Sequence, residues 1–229
     1  MIISHKHRFI FIKSWKTAGT SVEAALSAHC GGEDIVTPLG DYKFNRAEGS
    51  EWVHHAMNEG GFEQHDGAEA IKSRVPEEVW NSYLKFSIAR NPWDRAVSLF
   101  YWEKKRKRAA PPGKRFYHYL GVPYDEFRQA KWELAEFIRS EDWSNNDRFY
   151  VLNGGLCVDF MIRYESLNED FAKLCAQLGL PTVELPQLKA GIRNKGRHYS
   201  ELYDEESRAI VARRHKNDIL LLGYAFEER

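Results

Sequence analysis

The chain is 229 residues long, enough for one domain with a sizeable buried core. Its 43% hydrophobic and 14% aromatic content excludes a disordered chain. Lys plus Arg balances Asp plus Glu at 33 each, so no global field draws the protein to nucleic acid or membrane, and any taste for polyanions must come from a local patch.

The first informative segment, Arg8 to Lys13, contains the apolar run Phe9-Ile10-Phe11-Ile12. Such a run predicts a strand buried on both faces, as in a parallel sheet. It leads into Ser14-Trp15-Lys16-Thr17-Ala18-Gly19-Thr20-Ser21, where the chain is expected to turn at Gly19 and enter a helix over Val22 to Cys30 capped by Thr20 or Ser21. Free backbone N–H groups and the positive helix end then converge where Lys16 also points, which predicts an anion site. The loop is not G-x-x-x-x-G-K-[ST], because Lys16 precedes its only glycine, and an ordinary kinase reading weakens accordingly.

Gly31 to Gly67 has little periodicity and reads as a long loop with one short strand near Trp52, and Ala68 to Tyr83 reads as helical despite Pro76. Leu84 to Ala89 repeats the strand-then-helix plan, leaving Arg90 at the strand's carboxyl end before Asn91-Pro92 and a helix over Trp93 to Arg106. Ser98 falls about two turns into that helix. A guanidinium fork near a hydroxyl suits a second phosphate. Tyr124 to Ser140 predicts one or two more helices and Val158 to Arg163 a third core strand. A core-facing helix follows over Asn168 to Leu178, ended by Gly179 and Pro181. The last helix should start at Asp204 and turn Ile210, Val211, Ile219, Leu220 and Leu222 toward the body. Alternating strands and helices without an internal repeat predict an α/β fold, a three-layer α/β/α arrangement around a central, mostly parallel sheet, as a single domain over residues 1–229.

Cys30, Cys157 and Cys175 are odd in number and match no disulfide framework or metal-ligand spacing, which favours a reducing compartment. No stretch has the form of a signal peptide or a membrane span, so a soluble, cytoplasmic protein is expected.

Four ordered motifs point to one family. Lys16-Thr17-Ala18-Gly19-Thr20-Ser21 resembles the phosphosulfate loop of sulfotransferases dependent on 3′-phosphoadenosine 5′-phosphosulfate (PAPS), and Arg90 with Ser98 resembles their 3′-phosphate motif. Ile162-Arg163-Tyr164-Glu165-Ser166-Leu167 resembles the strand-end R-[FY]-E-x-L, and Tyr199 to Phe226 the closing Y-x-x-x-Y-D-x-E helix ending in D-I-x-x-x-G-Y. The carbohydrate-type branch is the nearest in appearance, with Trp15 standing where relatives commonly carry proline.

The resemblance implies a P-loop-like nucleotide-binding fold and transfer of a sulfuryl group to a hydroxyl or amine without a metal. Lys16 would neutralise the leaving phosphate oxygen, and Thr17, Ala18, Gly19, Thr20 and Ser21 would offer donors to the 5′ side. Arg90 and Ser98 would recognise the 3′-phosphate, and Tyr164 would meet the adenine. Arg193, Lys195 and Gly196, in the basic stretch Arg193 to Arg197, would form a late phosphate-contact loop. His55 of His54-His55-Ala56 is the favoured general base, with His54 or a carboxylate such as Glu59 as alternatives.

A hydroxylated acceptor is expected, with carbohydrate favoured. The basic run Lys104 to Arg108 and on to Arg115 is either a rim for acidic glycans or a solvated helix end. Trp15, Trp52, Trp93, Tyr101 and Trp102 are candidate sugar-stacking faces or ordinary core. Two other classes compete. A phosphotransferase of P-loop descent would need a strand-end acidic residue for magnesium, and a non-enzymatic polyanion-binding module would rest on the Lys104 to Arg115 patch alone.

Overall fold

The computed structural model describes residues 1–38, 56–58, 60–106, 126–140, 145–181, 184–186 and 197–228. Two units are distinguished, one formed by Met1–Arg90 with Asn146–Leu188, the other by Asn91–Asn145 with Lys189–Arg229.

The first unit holds a five-stranded sheet. Its strands are β1 (Ile2–Ser4), β2 (Phe9–Ile12), β3 (Ile35–Val36), β4 (Leu84–Ala89) and β7 (Phe160–Arg163), in the spatial order β3-β1-β2-β4-β7. β2, β4 and β7 are parallel neighbours, and only β1 runs against the rest, because a tight turn joins it to β2. That turn is organised by Asp34, whose carboxylate accepts from the Ser4 hydroxyl and from the backbone of His5, Lys6 and Gly31. A two-stranded hairpin, β5 (Val151–Leu152) and β6 (Gly155–Leu156), lies outside the main sheet.

All four residues of β2 are fully buried, as its unbroken apolar run requires. Phe9, Phe11, Phe86, Ile88 and Ile162 share a core with Val22, Ala25 and Leu26 of helix α1 (Gly19–Ser27) and with Phe171, Leu174 and Cys175 of helix α6 (Leu167–Leu178). Phe11 stacks on Phe86 with centroids 5.0 Å apart. Ser87 stays in mid-strand without penalty because its hydroxyl donates to the Ile12 carbonyl at 2.7 Å. Gly179 ends α6 in the left-handed conformation, φ 66°, as the sequence suggests.

Helix α4 (Pro92–Arg106), α5 (Glu126–Arg139), α7 (Glu205–Arg214) and α8 (Lys216–Leu222) make up most of the described second unit. Trp93, Val97, Phe100, Leu134, Ile138, Tyr199, Leu202, Tyr203 and Val211 form its core. Among the described residues, no helix is long and apolar enough to cross a membrane.

Several expectations need correction. The segment Ala68 to Tyr83 is two helices, α2 (Ala68–Lys72) and α3 (Glu77–Ser82), since Pro76 has no N–H to donate and stands at φ −55° and ψ 143°, outside helical geometry, just before α3. The last helix breaks at His215, whose Nδ1–H donates to the Asp218 carboxylate at 2.8 Å. Asp204 does cap α7, accepting from the Ser207 N–H at 2.7 Å, but Leu220 is 68% exposed and does not face the body. The strand in the long loop is β3, with an isolated bridge from Val36 to Met57, whereas Trp52 lies outside the described residues.

Candidate functional site

Three parallel strand ends meet at one sheet edge of the first unit: Lys13 after β2, Arg90 after β4 and Tyr164 after β7. Ligands of open α/β sheets gather at such carboxyl edges. Tertiary bonds fix the loop between β2 and α1. The Ser14 hydroxyl donates to the Ile88 carbonyl at 2.5 Å and lies 2.7 Å from the Thr17 hydroxyl. Buried Asn146 clamps Trp15 from both sides, its Nδ2 donating to the Trp15 carbonyl at 2.9 Å and its Oδ1 accepting from the Trp15 N–H at 3.3 Å. Arg90 Nη1 donates to the Lys16 carbonyl at 3.1 Å.

Within this frame Lys16 and Ala18 are both left-handed, with φ of 61° and 66°. Each such residue costs about 1–2 kcal/mol when it is not glycine. The N–H groups of Thr17, Ala18 and Gly19 find no partner among the described residues and stand at the start of α1. Donors of this kind at a helix start suit an anion.

Here too the sequence expectation changes. Neither Thr20 nor Ser21 caps α1; the capping position is Ala18, which has no side-chain bond to give. Thr17 is fully buried and its hydroxyl faces Ser14, so its contribution to a ligand is the backbone N–H. Gly19 is required by close approach rather than by a turn, since an added Cβ would lie 2.8 Å from Cγ of Lys13. Lys13 cannot yield, because it is 2% exposed and its Nζ donates to Glu23 Oε2 at 2.5 Å and to Gln64 Oε1 at 3.1 Å. Gly19→Ala is therefore expected to destabilise the protein by about 1–3 kcal/mol in urea titration. An unchanged midpoint would show that Lys13 repacks freely.

Two residues that the sequence did not mark complete the site. Asn146 was invisible because its partner lies 131 positions away. His65 stacks on Trp15 with ring centroids 4.4 Å apart, and its Nδ1 sits 2.9 Å from the Lys13 carbonyl, which assigns the proton to Nδ1 and leaves Nε2 as the acceptor. Burial lowers its pKa to about 4, so the ring is neutral at ordinary pH. Beyond being one histidine among nine, it carries no signal in the sequence.

Tyr164 opens a 3-10 turn (Tyr164–Ser166) at the end of β7, and the Arg90 guanidinium carbon stands 3.9 Å from its ring centroid. Ser98 is on α4 in the second unit and is partly buried. His54, His55, Arg193, Lys195, Gly196 and Glu59 lie outside the described residues. Trp93, offered for sugar stacking, is core instead: it is 4% exposed and its indole N–H donates to the Arg208 carbonyl. Tyr101 and Trp102 pack against the same cluster, whereas Trp15 is 37% exposed. Lys104 is held by Glu133 at 2.5 Å, and the basic run beyond Arg106 lies outside the described residues.

Among the described residues no group of three or more His, Cys, Asp or Glu side chains could hold a metal ion. The thiols are not poised as nucleophiles, since burial pushes Cys30 up to about 12 and Cys157 up to about 11.

Residues 1–225 match a family described as "Sulfotransferase family". A protein of Archaeoglobus fulgidus described as uncharacterized is 30% identical over 111 residues, covering 48% of this chain and 80% of that protein. No solved structure matches.

Proposed function

The chain belongs to the sulfotransferase family, and from that premise we propose that it transfers the sulfuryl group of PAPS to a hydroxyl of a carbohydrate acceptor. What supports the donor above all is the presence, at one sheet edge, of N–H groups beside Lys16 that find no partner among the described residues and of an arginine bound to the Lys16 carbonyl. The first suits a 5′-phosphosulfate and the second a 3′-phosphate.

Bound there, the donor supplies an SO₃ group whose departure leaves charge on the 5′-phosphate. Lys16 neutralises that charge as it builds, and the N–H groups of Thr17, Ala18 and Gly19 hold the phosphate in place. The bonds from Ser14, Asn146 and Arg90 fix these donors before the ligand arrives, so little reorganisation accompanies the reaction. The acceptor proton goes to a general base, for which His55 is the proposed residue and His54 its substitute. The open face of Trp15, steadied by His65 behind it, is the proposed sugar platform.

Calorimetric titration with adenosine 3′,5′-bisphosphate, AMP and ATP tests the donor without knowledge of the acceptor. The bisphosphate is expected to bind about tenfold or more tightly than AMP, through the charge-assisted contacts of its second phosphate. Equal affinities, or ATP binding best, would reject PAPS as donor, and activity lost in EDTA would favour the phosphotransferase instead.

A further inference from the structure

Strand register brings Arg90 and Tyr164 together. β4 and β7 are parallel neighbours with Ala89 paired to Arg163, so the next residue of each leaves the sheet edge at the same level. At 3.9 Å from the Tyr164 centroid, the guanidinium is well inside cation–π range, and the stack sets the plane in which its N–H donors lie. One of those donors is committed to the carbonyl of Lys16, a residue held in the left-handed conformation.

A side chain that serves only to read a 3′-phosphate has no need to hold the backbone of the 5′-phosphate loop, and an aromatic that serves only the base has no need to hold that arginine. We propose that Tyr164 is a positioning residue for Arg90, and that Arg90, through the Lys16 carbonyl, keeps the 5′ loop in its anion-binding form. The two phosphate sites are then one coupled device, and the ring that the family resemblance assigns to adenine works through the guanidinium covering it. This deepens the donor assignment above and rests on it.

AMP separates the alternatives because it lacks the 3′-phosphate. Its affinity is to be measured by calorimetry for the wild type, Arg90→Met, Tyr164→Leu, Tyr164→Phe and the Arg90→Met/Tyr164→Leu double variant, with thermal melts to check the fold. Arg90→Met and Tyr164→Leu are each expected to weaken AMP roughly tenfold. The double variant should be no worse than either single one, and Tyr164→Phe, which keeps the ring, should stay near the wild type.

If Arg90→Met binds AMP as the wild type does and loses only bisphosphate affinity, Arg90 reads the 3′-phosphate alone and the coupling is overturned. Losses that multiply in the double variant would return Tyr164 to an independent role on the base and equally overturn it. A wild-type chain that binds neither nucleotide is a different failure, since it removes the donor assignment itself.

Discussion

Lys16→Ala is expected to lower the turnover of sulfuryl transfer by about 10²–10³-fold, the usual cost of removing one preorganised donor aimed at developing charge. The backbone makes this a clean substitution. Lys16 is left-handed at φ 61°, and alanine meets the same penalty there as lysine, so the variant neither relieves nor adds strain. The side chain is only partly buried and the Arg90 bond is to its carbonyl, which alanine retains. The loss should therefore fall on kcat more than on KM, because the ammonium matters most when the leaving phosphate gains charge. Steady-state kinetics with PAPS saturating provide the measurement. Turnover within a few fold of the wild type would remove Lys16 from the chemistry and require another cation for the leaving oxygen.

What the sequence disclosed of this site, and what it hid, follows from the range of the interactions involved. β2 and β4 were legible because an unbroken apolar run admits few alternatives, and Leu84–Ala89 has the bounds expected of it. β1 and β3 were not, being three and two residues long and defined only by their pairing. The α7–α8 break escaped notice because the apolar positions continue through it while a local His215 to Asp218 bond ends the helix.

The loop itself shows the same division. Its charge and glycine announced an anion site, yet propensity assigned the cap to Thr20 or Ser21, when the observed capping residue is Ala18. Tertiary contacts overrode the local preference: Thr17 is drawn inward to Ser14, and Lys13 passes so close over Gly19 that no other residue fits without a shift. Read from the sequence, Lys13 was merely the end of a strand. Its burial against Glu23, ten positions later, became visible only once α1 was docked on the sheet.

That buried pair carries the largest expected effect on stability. Glu23 is fully buried on α1, with one carboxylate oxygen 2.5 Å from Lys13 Nζ and the other 2.6 Å from the Met1 amino nitrogen, whose own pKa burial lowers to about 6. Burial alone would push its pKa up, but the charge and hydrogen bonds offered by the Met1 and Lys13 amino groups outweigh that and hold it below the ordinary carboxylate range. Glu23→Gln keeps the volume and removes the charge, leaving the buried Lys13 ammonium without its counterion, and is expected to cost about 3–5 kcal/mol. Against a typical total of about 5–15 kcal/mol this is a substantial fraction of the fold's stability. Urea denaturation monitored by circular dichroism would measure it. The same variant should weaken nucleotide binding, since a Lys13 side chain released from Glu23 no longer lies fixed over Gly19 at the start of the anion loop. A Lys13→Met/Glu23→Leu double variant, which exchanges the ion pair for apolar packing, is expected to recover part of the stability lost in Glu23→Gln, because it removes the stranded cation. A Glu23→Gln protein within about 1 kcal/mol of the wild type would mean that water or a deprotonated Lys13 relieves the site, and that the pair is not what holds α1 against the sheet.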